Sequence, residues 1–355
     1  MTTATSPAGG ATRAAPTPTW RRRFSGPFVQ RIGMYALTLV GAVSVNFIIP
    51  RVMPGDPTQE TVQRLEVQTG QPVAPETEAA IRAMLGGNDD NLVAAYFTYW
   101  RNLLQGDFGL STSYYPLPVK DLLLGALPWT LGLVVVSMIV AWLVGVSLGA
   151  IAGWWRGRPI DTVIGIVCAV LIAVPSFWAA LMLQYFLGYR LGWLPPGGAY
   201  DPDLVPGFSS GFVLSCLKYG ALPGITLAVI SFAGYMFTMR NVLAQTAAED
   251  SVLLAQAKGL SPVRVMVGYG VRNSILPSFA ALAQTIGGAI GGVLLIEVIF
   301  TYPGLGSLLG TALAGRDYPL IQGVFLIVTC SVLLMNFIAD SVYGYIDPRT
   351  RESRE

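Results

Sequence analysis

The chain has 355 residues, 53% of them hydrophobic and only 12% charged, with a formal net charge of +2 and a mean hydropathy of +0.56. Soluble globular chains carry about 25% charged residues, so half that share, with long uncharged runs, places the sequence in the membrane class, and the near-neutral balance gives no reason to expect a nucleic-acid partner. Histidine is absent, which removes the commonest general base, the Ser–His and Cys–His nucleophile pairs and most zinc sites.

The first 19 residues are rich in Ala, Thr and Pro and read as a disordered tail. The basic cluster Arg21, Arg22, Arg23 and Arg31 then precedes a full-length apolar segment, which is followed by Pro50 and Pro54 rather than by a small-residue cleavage site. A bilayer core about 30 Å thick needs about 20 apolar residues in helix. Six segments qualify: 32–50, 127–154, 160–188, 222–239, 278–300 and 320–346.

Orientation follows from Lys and Arg in the connecting loops. With the N-terminus cytoplasmic, fourteen of the 22 basic residues fall inside, and the first outer loop offsets its five with nine acidic residues. Both termini are therefore expected inside. The organisation is a cytoplasmic tail over 1–31, a first transmembrane helix over 32–50 and an extracytoplasmic subdomain over 51–126. A five-helix core over 127–346 follows, with an inner loop at 240–277 and a second tail over 347–355. The outer subdomain contains two stretches that read as short helices, around 76–85 and 92–104.

Small residues recur at helical spacing in two spans: Gly145, Gly149 and Gly153 in the second, and Gly287, Gly288, Gly291 and Gly292 in the fifth. Such faces let backbones approach closely, and Gly145, Gly149, Gly288 and Gly292 are expected to pack helices, either within the chain or at a subunit seam or pore wall. The cysteines Cys168, Cys216 and Cys330 lie far apart, without metal-ligand spacing. Glu297 near the outer end of span five and Asp340 near the inner end of span six fit structural hydrogen bonding ahead of solute contact. Arg240, just inside span four, reads as an interface anchor.

The inner loop is the most informative segment. Over 247–277 it reads AAEDSVLLAQAKGLSPVRVMVGYGVRNSILP. The pair Glu249–Asp250 suits the start of a short helix through Val252, Leu253, Ala255 and Ala257, and Lys258-Gly259 suits its end. Ser261 is placed as the N-cap of a second short helix with Pro262 in its first turn, running through Arg264 and Arg272 toward Pro277, where span five begins. Two short helices joined by Gly259 on the inner face form a knob with an apolar stripe that fits a groove on another protein.

This loop resembles the coupling loop of binding-protein-dependent ABC import permeases, in the dipeptide, oligopeptide and nickel branch. The match runs through Glu249-Asp250, Ala255, Ala257-Lys258-Gly259-Leu260, Arg272-Asn273 and Pro277, while Leu253 and Leu254 depart from the wider family pattern. Six other islands are similar to the same family: Met53-Pro54-Gly55-Asp56-Pro57, Gly106-Asp107-Phe108-Gly109-Leu110-Ser111, Pro175-Ser176-Phe177-Trp178, Glu297-Val298-Ile299-Phe300 with Pro303-Gly304-Leu305-Gly306, Arg316-Asp317-Tyr318-Pro319 and Asp347-Pro348-Arg349.

The resemblance implies an all-α, polytopic bundle of six transmembrane helices with the type I importer permease fold. It implies a multi-pass subunit of the cell inner membrane forming half of a translocation pathway for di- or oligopeptides. The partners implied are a second homologous permease, a heterodimer being expected ahead of a homodimer, two ATP-binding subunits and an extracytoplasmic solute-binding protein. Glu249, Asp250, Ala255, Ala257, Lys258, Gly259, Leu260, Arg264, Arg272 and Asn273 would form the ATPase-coupling loop. No cofactor is expected on this chain, with ATP and Mg on the partner subunits. None of Lys120, Lys218 or Lys258 stands in a phosphate-cradling Gly-x-x-x-x-Gly-Lys-Ser/Thr motif. The same machinery importing nickel complexes or oligosaccharides stays open, the latter through a likeness over Gly192-Trp193-Leu194-Pro195. A secondary transporter would carry ionisable residues at mid-membrane and internal repeats, and an intramembrane hydrolase would need a nucleophile with a base. The six spans carry no ionisable residue placed centrally, which weighs against the transporter reading while leaving it open as the alternative, and the lack of His leaves a hydrolase only Ser–Lys or paired-Asp schemes.

Overall fold

The computed structural model describes residues 27–52, 59, 62–63, 66–67, 70–84 and 91–346. The motifs at 53–57 and 347–349, the tail over 1–26 and the last basic residues lie outside them. Among the described residues the chain is helical throughout, and its lone strand-like pairing is a bridge between Leu110 and Pro118.

Helix α1 spans Pro27–Val52, and two short helices follow, α2 at Pro75–Met84 and α3 at Leu92–Leu104, on the stretches expected to be helical. Asn91 caps α3, its side chain accepting from the amides of Val93 and Ala94. Then come α4 at Val119–Trp154, α5 at Pro159–Ala173 and α6 at Ser176–Arg190. Helix α7 spans Ser210–Thr246, α8 Asp250–Ala257 and α9 Pro262–Gly292. The chain closes with α10 at Leu294–Ile299, α11 at Leu305–Ala314 and α12 at Tyr318–Ile346.

Four helices, α4, α7, α9 and α12, are each long and apolar enough to cross a bilayer, and α5 with α6 meets the same criterion as a pair bent by 100°. The segment 160–188, expected as one straight span, is thus two helices. Val174 and Pro175 both take extended backbone, ψ 124° and 136°, because the proline ring crowds the preceding residue out of the helical region and carries no amide hydrogen to continue the ladder.

Other prolines act differently. The spans expected to begin at 127, 222 and 278 start earlier, and Pro128, Pro223 and Pro277 lie inside continuous helices. A helix-interior proline costs about 3 kcal/mol in an isolated helix, but here a residue beside each is packed or bonded to a neighbouring element. Trp129 stacks on Tyr200, and Thr130 accepts from the Leu305 amide at 2.9 Å. Leu222 and Pro223 are buried, and Ser278 accepts from the Trp142 indole at 3.0 Å. Membrane helices tolerate proline where neighbours support it.

The contact that organises the bundle is the seam between α4 and α7. A Cβ on Gly149 would stand 2.5 Å from Met236 O and 2.8 Å from Met239 Cβ, and one on Gly153 would stand 2.8 Å from Arg240 O. Gly145 faces Phe232 O and Tyr235 Cβ in the same way, so the two backbones touch over three turns. Around the seam lies the main apolar core of Leu133, Val134, Met138, Leu222, Tyr235 and Ile290, continued by Ile296 and Phe300. A second core joins Val119 and Leu123 of α4 to Leu305, Leu309, Leu320 and Val324. Val136, Ile139, Val140, Leu143 and Val144 of α4 are outward and exposed, as a lipid-facing surface requires.

Polar pins fix the periphery. Asn46 of α1 and Gln322 of α12 exchange side-chain-to-backbone hydrogen bonds at 2.8 and 3.1 Å. Ser44 and Phe47 of α1 meet Tyr96 of α3. Asp317 is fully buried before α12: it accepts from the Leu320 amide at 3.1 Å, the Ser111 hydroxyl at 2.5 Å and the Ser113 amide at 2.8 Å. Two of the sequence islands, 106–111 and 316–319, therefore meet in space.

Gly149→Ala should lower stability in detergent by about 1–3 kcal/mol through overpacking of the seam, measured by thermal unfolding. Gly165→Ala, where a Cβ meets nothing within 4 Å, should leave it unchanged or raised. Asp317→Ala, which strips the partner from a buried hydroxyl and two amides, should cost about 3 kcal/mol in the same measurement.

Candidate functional site

The inner elbow runs from the end of α7 to the start of α9. Helix α8 begins after Glu249, whose backbone is extended at ψ 150°, and Asp250 stands in its first turn. Neither Glu249 nor Ser261 makes a side-chain capping bond, so each occupies the cap position expected of it without the hydrogen bond that usually goes with it. Lys258 closes α8 and Gly259 reverses the chain with φ +75°, a left-handed conformation in which an L side chain is strained. Pro262 sits in the first turn of α9, which passes through a π-type stretch at Met266–Val271 and continues past Pro277 without the break expected there.

The elbow has two faces. The inner face is a small core of Val252, Ala255 and Val265, all essentially inaccessible, packed on Trp154 at the end of α4 and on Leu260. Gly270 lets α9 close onto this seat, since a Cβ there would lie 2.8 Å from Leu243 Cδ1 and 3.4 Å from the Trp154 ring. Ser274 donates to Thr246 at 3.1 Å, tying α9 to the last residue of α7. The outer face carries exposed Leu253, Leu254, Val263 and Val267, flanked by Lys258, Arg264 and Arg272.

The residues picked out from the sequence divide accordingly. Glu249, Asp250, Ala257, Lys258, Gly259, Arg264, Arg272 and Asn273 are exposed together on the elbow, Leu260 is half-buried, and Ala255 points into the seat. Sequence reasoning missed the seat residues Val252, Val265 and Trp154; the alternation of Val252 and Ala255 with Leu253 and Leu254 was the available signal. It also missed Asp161. This residue is 4% exposed in the first turn of α5, and its carboxylate takes both arms of a fork from Arg240, Nε at 2.5 Å and Nη2 at 2.9 Å, plus the Gly157 amide at 2.9 Å. Arg240 is therefore half of an ion pair.

At the other end of the bundle, Glu297 is fully buried in α10 and accepts from the Gly306 amide at 2.6 Å. Its carboxylate fills the space where a Cβ on Gly304 would lie; the expected structural hydrogen bonding is made by Oε2 alone, Oε1 being buried without a partner among the described residues. Gly145 and Gly149 sit in the α4–α7 seam, whereas Cβ atoms on Gly288 and Gly292 would meet nothing within 4 Å. In the same part of α9, Gly287 packs on Asn336 and Met335. Gln284, Thr285 and Gly288 line a cavity of about 540 Å³ with Tyr35 and Asn336. Among the described residues no group of His, Cys, Asp or Glu is arranged to hold a metal ion.

Residues 145–352 match the family described as "Binding-protein-dependent transport system inner membrane component". The di/tripeptide transport system permease protein DppB of Pseudomonas aeruginosa is 33% identical over 339 residues, covering 92% of this chain and 98% of that protein. The oligopeptide transport system permease protein AppB of Bacillus subtilis is 31% identical, covering 90% and 98% respectively. The dipeptide transport system permease protein DppB of Escherichia coli is 30% identical over 92% of this chain and 98% of that one. The matched region holds the α4–α7 seam, the elbow and the Glu297 and Asp317 sites, and the chain belongs to the binding-protein-dependent inner-membrane components, as an ABC-importer permease subunit of the dipeptide, oligopeptide and nickel family.

Proposed function

We propose that this chain forms half of a membrane pathway for di- or oligopeptides and that its elbow receives the motion of separate ATP-hydrolysing subunits. The observation that carries this reading is the two-faced elbow. One side is seated on Trp154 through Val252, Ala255 and Val265, while the other presents Leu253, Leu254, Val263 and Val267 in the open beside three cations. A rigid knob with an exposed apolar face is suited to a groove on a partner, and its seat passes any displacement to the ends of α4 and α7. The peptide cargo is supported by the names of the relatives above.

The pathway needs a second permease, homologous to this one. The open faces of Gly288, Gly291 and Gly292, beside exposed Gln284 and Thr285, suit close approach of a helix from that subunit, because lipid offers nothing to polar and small surfaces that another helix does not. In this reading α1 and the α5–α6 pair join α4, α7, α9 and α12 as six passages, both termini and the elbow are cytoplasmic, and ATP and Mg are held by the motor subunits. A soluble binding protein delivers the solute from the opposite side.

Leu253→Asp with Leu254→Asp should cut solute-stimulated ATP hydrolysis by about tenfold or more in the assembled importer, with membrane insertion intact. Stimulation at wild-type level would overturn the docking role. Orientation is checked separately in a chain lacking Cys168, Cys216 and Cys330. A cysteine at Ala257 should react with membrane-impermeant maleimide in inverted vesicles and not in intact cells; the reverse pattern would overturn it.

A further inference from the structure

Resting on that reading, we propose that the Asp161–Arg240 ion pair is the positioning link through which movement of the elbow is passed to the α5–α6 arm.

Helix α5 is held to the bundle at few places, whereas α6 seats Ala180 in the main core with Leu183 and Leu187 packed against it. Val163, Ile166, Val167, Val170 and Ile172 of α5 are all exposed, and the buried residues of that helix are Asp161 and Cys168. Cys168 sits in a small apolar cluster with Ala152, Ala233 and Met236, a contact that slides at little cost because it has no direction. The Asp161 contact has direction. The planar guanidinium meets the carboxylate through two near-parallel bonds, and the third acceptor position is taken by Gly157 in the turn between α4 and α5. One carboxylate thereby joins the turn, the start of α5 and the inner part of α7.

Arg240 lies one and a half turns before the end of α7, and the backbone continues from there into the elbow through unbroken hydrogen bonds from Ala247 to Leu243, Ala248 to Gln245 and Glu249 to Thr246. At its far end the arm is bonded again. Gln184 of α6 donates to Ile299 O at 2.9 Å and to Pro196 O at 2.8 Å, beside the Gly198–Phe300 backbone bond. A displacement of α7 is thus carried by Asp161 into α5, around the Val174–Pro175 bend and on to the segment following α10. The two directional hydrogen bonds of the fork resist both stretching and rotation of the pair, in which Asp161 is buried and Arg240 partly exposed.

The test uses the complete importer, with its second permease and ATP-hydrolysing subunits, in proteoliposomes supplied with the binding protein and radiolabelled dialanine. Asp161→Asn should assemble and hydrolyse ATP within about twofold of wild type while dialanine accumulated per ATP falls about tenfold, and Asp161→Arg with Arg240→Asp should recover much of that ratio. A ratio unchanged in Asp161→Asn, or a charge exchange that recovers nothing, overturns the assignment. Should Asp161→Asn fail to assemble, Asp161→Asn with Arg240→Gln leaves no unpaired buried charge and must show the same low ratio; a wild-type ratio there overturns the proposal. A second readout needs no solute. With spin labels at Ile160 and Asn241, the wild-type distance should stay narrow and fixed between nucleotide-free and ATP-trapped complexes, and broaden or shift with nucleotide in Asp161→Asn. Equal behaviour of the two proteins would overturn the link. Wild-type vesicles that accumulate no dialanine would count against the peptide reading alone, because the spin-label distances still decide the ion pair.

Discussion

Direct contact between the backbones of α4 and α7 is the constraint on which the remaining architecture depends. In lipid, apolar side chains gain little by leaving the solvent, so helices associate through close van der Waals contact and through polar groups that find partners. Gly145, Gly149 and Gly153 supply the first of these by leaving α4 without a Cβ at its three closest approaches to α7. Once the seam is closed, the inner ends of both helices are fixed side by side, which places Trp154 and Leu243 beneath the elbow. The seat that makes the elbow rigid is therefore built in part by glycines up to about two and a half helical turns away along α4.

Polar pins supply the second source of cohesion, and they join segments distant in sequence. Asn46 reaches Gln322, Ser111 reaches Asp317, Gln184 reaches Ile299, and Asp161 reaches Arg240. In a medium of low dielectric such bonds are strong when complete and costly when broken. They are concentrated at the ends of helices, where short loops would otherwise be free to reorganise. Between the ends the interior is largely apolar; the buried Thr226 hydroxyl donates to the carbonyl one turn back, Leu222 O, at 2.9 Å, and the buried Ser137 hydroxyl has no partner among the described residues.

Much of this was legible in the sequence because membrane helices obey simple rules of length and composition. The apolar runs located the long helices, and the Glu249–Asp250 and Lys258–Gly259 punctuation located α8 nearly to the residue. What failed was the weight given to proline. The spans expected to begin at 127, 222 and 278 start earlier and hold Pro128, Pro223 and Pro277 in their interior, whereas Pro175, within the segment expected over 160–188, breaks it. The deciding factor is tertiary support on either side of the ring, which local sequence does not encode. The small-residue spacing announced the α4–α7 seam but not its partner, and the same spacing in α9 faces open space at Gly288 and Gly292. Asp161 escaped notice because its meaning lies in an arginine 79 positions away.

The break at Val174–Pro175 has a consequence for the surrounding lipid. Each limb of the arm has 15 residues, a rise of about 22 Å at the α-helical pitch, which is short of the hydrocarbon thickness of about 30 Å. With the two limbs inclined at 100°, at least one must run far from the membrane normal. Exposed Phe177, Trp178, Leu181, Tyr185 and Phe186 of the second limb then meet the lipid at a different inclination from the exposed face of the first limb. Two short inclined limbs cover less depth than one straight helix of the same number of residues, and a bilayer accommodates such a shortfall by thinning beside it.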